Sequence, residues 1–317
     1  MNITIIGGAS FIGTNLAIML SKNNENRITI IDRDIKFFPP FDLFHLNNVN
    51  YQVHPYTLDT NFDLQVVNQD IVFHLASTTI PGNSNRNISM EVEDNVIVTI
   101  KLLDACVRQK VTKVVFLSSG GAVYGNKADK SMKEDMNTFP ITSYGIQKIM
   151  IEKLLYLYHY QYGLDYRVIR LSNPYGPYQR PNGKQGVITT FIYKALTDGI
   201  LEVYGDGSIV RDFIYISDAI TGIINIVNGN CKYRIFNLGS GKGISINEVI
   251  SSIKNIIQRE LQIIYTVGRD TDVPVNYLDI SRYENEFGKL HLTCLKSGIK
   301  KTANFLMNEY RINNVIV

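Results

Sequence analysis

The chain alternates short runs of β-branched and other apolar residues with longer stretches whose apolar residues recur at the helical period. Strands that alternate with helices in this way form a parallel sheet with helices on both faces. The pattern therefore predicts a doubly wound α/β fold. Predicted strands cover residues 3–6, 27–32, 70–75, 113–117 and 165–171, and predicted helices cover residues 11–22, 89–109 and 143–162.

The texture changes near Asn173, where a loop rich in Pro, Gly and Asn begins with NPYGPYQRPNGKQG. Shorter elements follow this loop. We expect a boundary near residue 172, with a main domain over residues 1–172 and a smaller region over residues 173–317. Residues 212–217 and 235–238 resemble strands, so we expect the segment 212–238 to return to the main sheet.

Composition excludes several classes of protein. A net charge of +3 without a basic run is not typical of a chain that binds nucleic acid or a membrane surface. No stretch approaches 18 uninterrupted apolar residues, so no transmembrane helix is expected. The three cysteines, Cys106, Cys231 and Cys294, are far apart and lack CxxC spacing, which argues against a disulfide framework or a metal site and fits a cytoplasmic location.

A glycine-rich turn follows the first predicted strand and opens the first helix. Its sequence, GGASFIG over residues 7–13, is typical of loops whose backbone N–H groups hold a pyrophosphate. Asp32 ends the second predicted strand, where a carboxylate can accept hydrogen bonds from a ribose diol and repel a 2′-phosphate. The combination predicts a Rossmann-type domain that binds NAD, although the adjacent Arg33 leaves NADP open. The simpler alternative is a tight turn and a solvated carboxylate.

Tyr144 and Lys148 form a Y-x-x-x-K pair, which a helix places on one face, one turn apart. A nearby cation stabilises a phenolate, so this pair can act as a general acid and base. The spacing alone is common on exposed helices. The preceding predicted strand, however, runs into SSGGAVYG at residues 118–125, at the carboxyl end of the sheet where such folds bind ligands.

With these motifs the chain resembles the extended short-chain dehydrogenases/reductases, in particular the NAD-dependent nucleotide-sugar epimerases and dehydratases, and above all the UDP-hexose (UDP-glucose) 4-epimerases. The resemblance covers nearly the whole chain. It implies an NAD-binding first domain, a nucleotide-sugar-binding second region, and a homodimer formed through the helices at residues 89–109 and 143–162. Further matching motifs are HLAS at 74–77, SYGIQK at 143–148, RLSNPYGP at 170–177 and YGDGSIVRDFIYISD at 204–218.

Two positions depart from the family pattern. Ser10 stands where the glycine loop usually has Gly, and Gly120 stands where the family has its catalytic Ser or Thr. The hydroxyl would then come from Ser119 or Ser118, and we favour Ser119.

The resemblance also assigns the other site residues. The catalytic group is Tyr144, Lys148 and Ser119. Cofactor-binding positions are Gly7, Ser10, Phe11, Ile12, Gly13, Asp32, Asp59, Leu75, Ala76, Asn95 and Lys148. Substrate-binding positions are Ser119, Asn173, Tyr204, Arg211, Arg269 and Asp272, where guanidinium groups suit a diphosphate.

The implied reaction is epimerisation at C4 of a nucleotide sugar through a 4-keto intermediate, with UDP-hexose or UDP-N-acetylhexosamine as substrate. The alternative is an NAD(P)H-dependent 4-ketosugar reductase that uses the same residues. A 4,6-dehydratase is disfavoured because Gly121 and Ala122 occupy the places of its Asp-Glu pair. A non-catalytic NAD sensor is disfavoured because Tyr144 and Lys148 are both kept.

Overall fold

A computed structural model describes residues 1–34, 46–126, 131–181, 185–268 and 272–312. Seven parallel strands form its main sheet. The strands of the described residues, including those outside the main sheet, are in chain order β1 (Asn2–Ile6), β2 (Arg27–Asp32), β3 (Val49–Val53), β4 (Ile71–His74), β5 (Lys113–Ser119), β6 (Asp165–Leu171), β7 (Asn173–Tyr175), β8 (Ile200–Tyr204), β9 (Val210–Tyr215), β10 (Ile235–Leu238), β11 (Gly243–Ser245), β12 (Gln262–Thr266) and β13 (Val275–Asn276).

The main sheet has the order β10-β6-β5-β4-β1-β2-β3. All five predicted strands lie in it, and the edge strand β3 was not predicted. Most residues of β3 are exposed, so this strand lacks the buried apolar run that marks the others. The prediction of a doubly wound α/β fold is confirmed.

Helices cover both faces of this sheet. The helices are α1 (Phe11–Ser21), α2 (Phe62–Val66), α3 (Ile88–Val92), α4 (Val98–Arg108), α5 (Ser143–Tyr162), α6 (Val187–Leu196), α7 (Ile216–Asn228), α8 (Ile246–Ile257), α9 (Ser281–Phe287) and α10 (Leu295–Glu309). A π-helical segment, Glu93–Ile97, joins α3 to α4, so the predicted helix at 89–109 is one continuous helix that contains a wider π-helical turn. None of the described helices is long and apolar enough to cross a membrane.

The central strands bury side chains on both faces because helices cover both. On β5, Val115 and Leu117 pack in the core that contains α1 and α7, whereas Val114 and Phe116 pack in the core that contains α4 and α5. Alternate residues of a strand point to opposite faces, so a continuous apolar run is what a doubly covered strand requires.

The segments after residue 172 contribute to both parts of the molecule. β10 pairs with β6 in the main sheet, and α7 packs on β6. β9 does not join the main sheet, contrary to our expectation, but pairs with β7, β11 and β13. The buried Asp212 of β9 accepts hydrogen bonds from the backbone nitrogens of Ser240 and Gly241, which hold β9 against the loop after β10. The remaining pair, β8 and β12, is a separate two-stranded sheet.

Candidate active site

The glycine-rich turn has no room for larger side chains. Gly7 has φ +76°, and a Cβ there would lie 2.6 Å from the backbone nitrogen of Ala76. At Gly13, a Cβ would overlap the backbone of Gly8. These contacts hold the turn close to the residues that follow β4 and to the start of α1, so a larger side chain at either position would push the backbone out of place.

Ser10, the departure from the family loop, is the N-cap of α1. Its backbone is extended at φ −85°, a conformation that does not require glycine. Its side-chain oxygen accepts a hydrogen bond from the backbone nitrogen of Gly13 at 3.3 Å. The serine therefore stabilises the helix start and does not strain the loop.

A cavity of about 780 Å³ lies over this turn. Six of the predicted cofactor positions line it: Gly7, Ser10, Phe11, Asp32, Leu75 and Ala76. The opposite wall comes from Tyr178, Arg180 and the end of α10 with Phe305 and Tyr310, which sequence reasoning did not single out. In the sequence, only the Pro-, Gly- and Asn-rich loop that begins at Asn173 indicated that residues near 177 could form part of the site. Helix α10 is too distant in sequence for a local pattern to connect it with the glycine turn.

Asp32 stands in the cavity at the carboxyl end of β2. One of its oxygens accepts a hydrogen bond from the backbone nitrogen of Ala9 at 3.0 Å, and the other accepts one from the backbone nitrogen of Arg33 at 2.8 Å. Burial raises the pKa of this carboxyl, and these two hydrogen bonds oppose the shift. The carboxylate is thus fixed beside the glycine turn, in the position from which it can bind a ribose.

Other predicted cofactor positions do not line the cavity. Asn95 is buried and forms hydrogen bonds with Thr78, which does line the cavity. The Asn95 side-chain nitrogen donates to the Thr78 hydroxyl, and its oxygen accepts from the Thr78 backbone nitrogen, both at 2.8 Å. Ile12 and Gly13 lie within α1, and Asp59 lies in an exposed turn before α2. Asn95 can therefore support the site only through Thr78.

Tyr144 and Lys148 lie on α5, whose first turn is capped by the side chain of Thr142. The Lys148 ammonium lies 5.3 Å from the centre of the Tyr144 ring and donates a hydrogen bond to the backbone oxygen of Leu117 at 3.0 Å. Lys148 is almost fully buried. Lys148 is therefore held in the interior against β5, and Tyr144 beside it is half-buried, so the pair does not lie on an exposed helix face.

Burial changes the acidity of both groups. Desolvation lowers the pKa of Lys148 to about 8, and the negative charge of Glu152 opposes this shift. Desolvation raises the pKa of Tyr144 to about 12, and a hydrogen bond with the Ser119 side chain opposes it. The protein alone thus keeps the phenol protonated at neutral pH, with a cation and a hydroxyl available to stabilise its anion.

Ser119 is the last residue of β5, and its side chain acts on Tyr144 by lowering the pKa of the phenol. At Gly120, where the family pattern places this hydroxyl, a Cβ would lie 2.6 Å from a methyl of Leu278. Ser118 instead donates its hydroxyl to Glu152. The geometry thus favours Ser119 over both neighbours.

His74, in the HLAS motif, does not reach the cavity. Its Nε2 lies 2.9 Å from the Thr99 hydroxyl and 3.2 Å from the Tyr56 hydroxyl, and burial lowers its pKa to about 3. A neutral histidine therefore lies beneath the site, while the following residues, Leu75 to Ser77, line the cavity.

The predicted substrate residues gather on the small sheet. Arg211 pairs with Asp272 at 3.5 Å, and the Asn173 amide donates to the backbone oxygen of Asp212, the next residue, at 2.9 Å. Asn276, which pairs with Arg211 across the sheet, donates to the backbone oxygen of Gly121 at 3.3 Å, so this sheet is docked onto the turn after Ser119. Tyr204 lies at the exposed end of β8. Arg269 lies outside the described residues.

Comparison with known proteins agrees with this arrangement. The family model for the NAD dependent epimerase/dehydratase family matches residues 3–239. The chain belongs to this family. The family resemblance predicted from the sequence is thereby confirmed.

Individual relatives span the whole chain. A Methanocaldococcus jannaschii protein, provisionally named a UDP-glucose 4-epimerase, is 34% identical over 98% of this chain and 99% of its own length. The dTDP-4-dehydro-6-deoxyglucose reductase of Escherichia coli is 31% identical over 94% of this chain and 95% of its own length. The crystal structure of Thermotoga maritima UDP-glucose 4-epimerase with UDP-glucose is similar at a TM-score of 0.89 and 27% identity, covering 98% of this chain and 100% of that one.

Proposed function

We propose that this chain catalyses NAD-dependent epimerisation at C4 of a UDP-hexose or UDP-N-acetylhexosamine. The observation that carries the proposal is the group of Tyr144, Lys148 and Ser119 at the carboxyl end of β5. This strand neighbours β4, and the residues that follow β4 line the cavity over the glycine turn. Its full-length relatives include a protein provisionally named as a UDP-glucose 4-epimerase.

The groove fits NAD by its own chemistry. The turn at Gly7 holds its backbone against Ala76, the N-terminus of α1 can receive a pyrophosphate, and Asp32 can accept the hydroxyls of a ribose. NAD, when bound, supplies the acceptor for the C4 hydride and returns it to the opposite face of the sugar.

Tyr144 exchanges the proton of the sugar O4 hydroxyl. The phenolate accepts this proton as the C4 carbonyl forms and donates it back when the hydroxyl is restored. Lys148 stabilises the Tyr144 phenolate. Ser119 interacts with the same phenol and orients the sugar O4 hydroxyl towards it. A protein phenol with a pKa near 12 needs this support to act at neutral pH.

The nucleotide diphosphate is assigned to the small sheet. Arg211 and Asn173 stand together there, and Asp272 holds the guanidinium of Arg211. Arginine binds phosphate oxygens with a planar pair of donors, which suits this part of the substrate. By family resemblance Arg269 and Tyr204 complete this site.

A second candidate function is NAD(P)H-dependent reduction of a nucleotide-4-ketosugar. The specific observation in its favour is the Escherichia coli reductase, which matches the chain over nearly its full length. The same phenol would then donate a proton to O4, and one cofactor would be consumed per turnover.

We also propose that the protein is a cytoplasmic homodimer. Helix α3, the π-helical segment Glu93–Ile97 and helix α5 expose large apolar side chains, among them Met90, Ile97, Ile146, Met150 and Leu157. An exposed apolar surface of this kind is typical of a protein interface. The three cysteines are free thiols, as a reducing compartment favours. Light scattering on the purified protein measures the assembly, and a monomer at micromolar concentration would contradict it.

The deciding experiment incubates the purified protein with UDP-glucose and with UDP-N-acetylglucosamine, without added cofactor. Products are resolved by chromatography while absorbance is recorded at the reduced-nicotinamide band. Conversion to the 4-epimer without net change in that band is expected. Turnover only when NAD(P)H and a 4-keto nucleotide sugar are supplied would overturn epimerisation in favour of the reductase.

A further inference from the structure

A buried carboxylate lies one helical turn beyond Lys148 on α5. Glu152 is 2% exposed and forms a two-pronged ion pair with Arg170 of β6. The two guanidinium nitrogens lie 2.7 and 3.1 Å from its two oxygens. Paired bonds of this kind fix both side chains in orientation as well as in charge.

The same carboxylate also holds the end of β5. The Ser118 hydroxyl donates to Glu152 at 2.6 Å, and Ser118 directly precedes Ser119. Glu152 therefore connects the helix that carries Tyr144 and Lys148 to the strand end that carries Ser119.

Glu152 is the negative group that acts on Lys148. Its charge opposes the effect of burial on the pKa of Lys148. Around Lys148 and Glu152, the titratable or charged groups are Tyr144 on α5, the neutral His74 on β4, and Tyr166 and Arg170 on β6. Arg170 in turn donates to the Tyr124 hydroxyl at 3.0 Å.

We infer that Glu152 is a positioning residue of the proposed reaction, which keeps the ammonium of Lys148 charged beside Tyr144 and fixes the strand end that presents Ser119. The inference rests on the proposed function, because it assigns Glu152 a role in that site. A buried ion pair adds little stability compared with apolar residues of the same volume. Fold stability alone therefore gives a weak reason for this pair.

The test compares Glu152→Gln with Glu134→Gln. Glu134 is also a buried glutamate beside an arginine, Arg282 at 3.6 Å, and it accepts a bond from the Asn237 backbone nitrogen. Unlike Glu152, it does not lie on α5, and its charge does not act on Lys148. The same substitution at both positions removes one buried charge. Thermal unfolding measures the structural cost of each.

The decisive readout is the pH profile of kcat. Without the charge of Glu152, Lys148 loses its proton at lower pH, so the alkaline limb of the profile moves down by about one pH unit. We expect kcat to fall about 5-fold at pH 8 and about 10-fold at higher pH, with KM changed less than about 3-fold. Glu134→Gln leaves the limb in place. Bound NAD, released by denaturation and quantified, should be equal in both variants.

An unmoved limb in Glu152→Gln, or an equal movement in Glu134→Gln, would overturn the inference. Should Glu152→Gln fail to fold, Glu152→Asp retracts the carboxylate and should move the limb in the same direction by a smaller amount, and an unmoved limb there has the same meaning. Ser118→Ala tests the strand contact separately, with kcat lowered and the limb unmoved. If the wild type reduces 4-keto sugars instead of epimerising, the proposed function fails, and the same profiles measured on reduction still test Glu152.

Discussion

The cofactor end and the catalytic end of the candidate active site depend on different kinds of contact. At the cofactor end, the decisive contacts come from the backbone of one short segment, residues 7–13, and from a single carboxylate, Asp32. At the catalytic end, they come from side chains of β5 and α5, supported by Arg170 on β6. A backbone site tolerates little change in residue size, whereas a side-chain site tolerates little change in charge or hydrogen bonding.

The largest expected effect follows from removing the phenol hydroxyl. Tyr144→Phe should lower kcat at least about 1000-fold, because no other group at O4 can exchange the proton. The content of bound NAD should stay at the wild-type level, since Tyr144 does not line the groove over the glycine turn. Turnover and cofactor content are measured on the same preparation. An active variant would show that Tyr144 is not the proton-transfer group. Loss of bound NAD in the variant would show that the catalytic end also determines cofactor binding.

The opposite result is expected at the cofactor end. Gly7→Ala introduces a Cβ against the Ala76 backbone at a φ of +76°, so we expect loss of bound NAD and a drop in the free energy of unfolding of about 2–3 kcal/mol. Gly163→Ala is the matched control, since Gly163 has φ +73° but no atom near its Cβ. That variant should lose only about 1 kcal/mol and keep its cofactor. Equal losses in denaturant titrations of both variants would show that backbone strain alone matters.

The same difference explains what could be predicted from the sequence. The glycine turn and Asp32 are encoded locally, within the first 32 residues, and the Tyr144–Lys148 spacing is fixed by one helix. Five strands of the seven-stranded main sheet were visible in the sequence as apolar runs. The exposed β3 was not, because strands without such a run lack the signal.

The rest depends on contacts between distant segments. The choice of Ser119 over Gly120 is favoured by Leu278, about 160 residues away, and the far wall of the groove is formed by α10. No local pattern reports such contacts. β9 was assigned to the wrong sheet because the sequence of a short strand does not reveal which strands it pairs with.

A smaller loss should follow from removing the Ser119 hydroxyl. Ser119→Ala is expected to lower kcat about 10- to 100-fold with normal NAD content, because Tyr144 keeps Lys148 but loses its hydrogen bond. Adding Gly120→Ser should not restore activity, since the new side chain would meet Leu278. Gly121→Ala, whose Cβ meets only the Ser119 oxygen at 3.9 Å, controls for added bulk. Recovery of kcat in the double variant would return the catalytic hydroxyl to position 120.

The smallest expected effect is on the free energy of unfolding. It tests whether Lys148, at the catalytic end, serves catalysis at a cost in stability. Burial lowers the pKa of Lys148 from 10.5 in the unfolded chain to about 8, so below pH 8 the folded protein carries the cost of a buried cation. This cost declines as pH rises from about 8 to 10.5, because the unfolded chain there binds more protons than the folded one. Lys148→Met should therefore abolish turnover yet raise the free energy of unfolding at pH 7 by about 2 kcal/mol, after allowance for the lost bond to Leu117.

The gain should shrink towards pH 10, and urea titrations at pH 7 and pH 10 measure it. Lys153→Met, on the exposed side of the same helix, should show no such dependence on pH. A variant at position 148 that is less stable than the wild type at pH 7 would mean that the ammonium stabilises the fold. In that case the two ends would not differ in this respect, because the charged side chain of the catalytic end would stabilise the fold as the glycines of the cofactor end do.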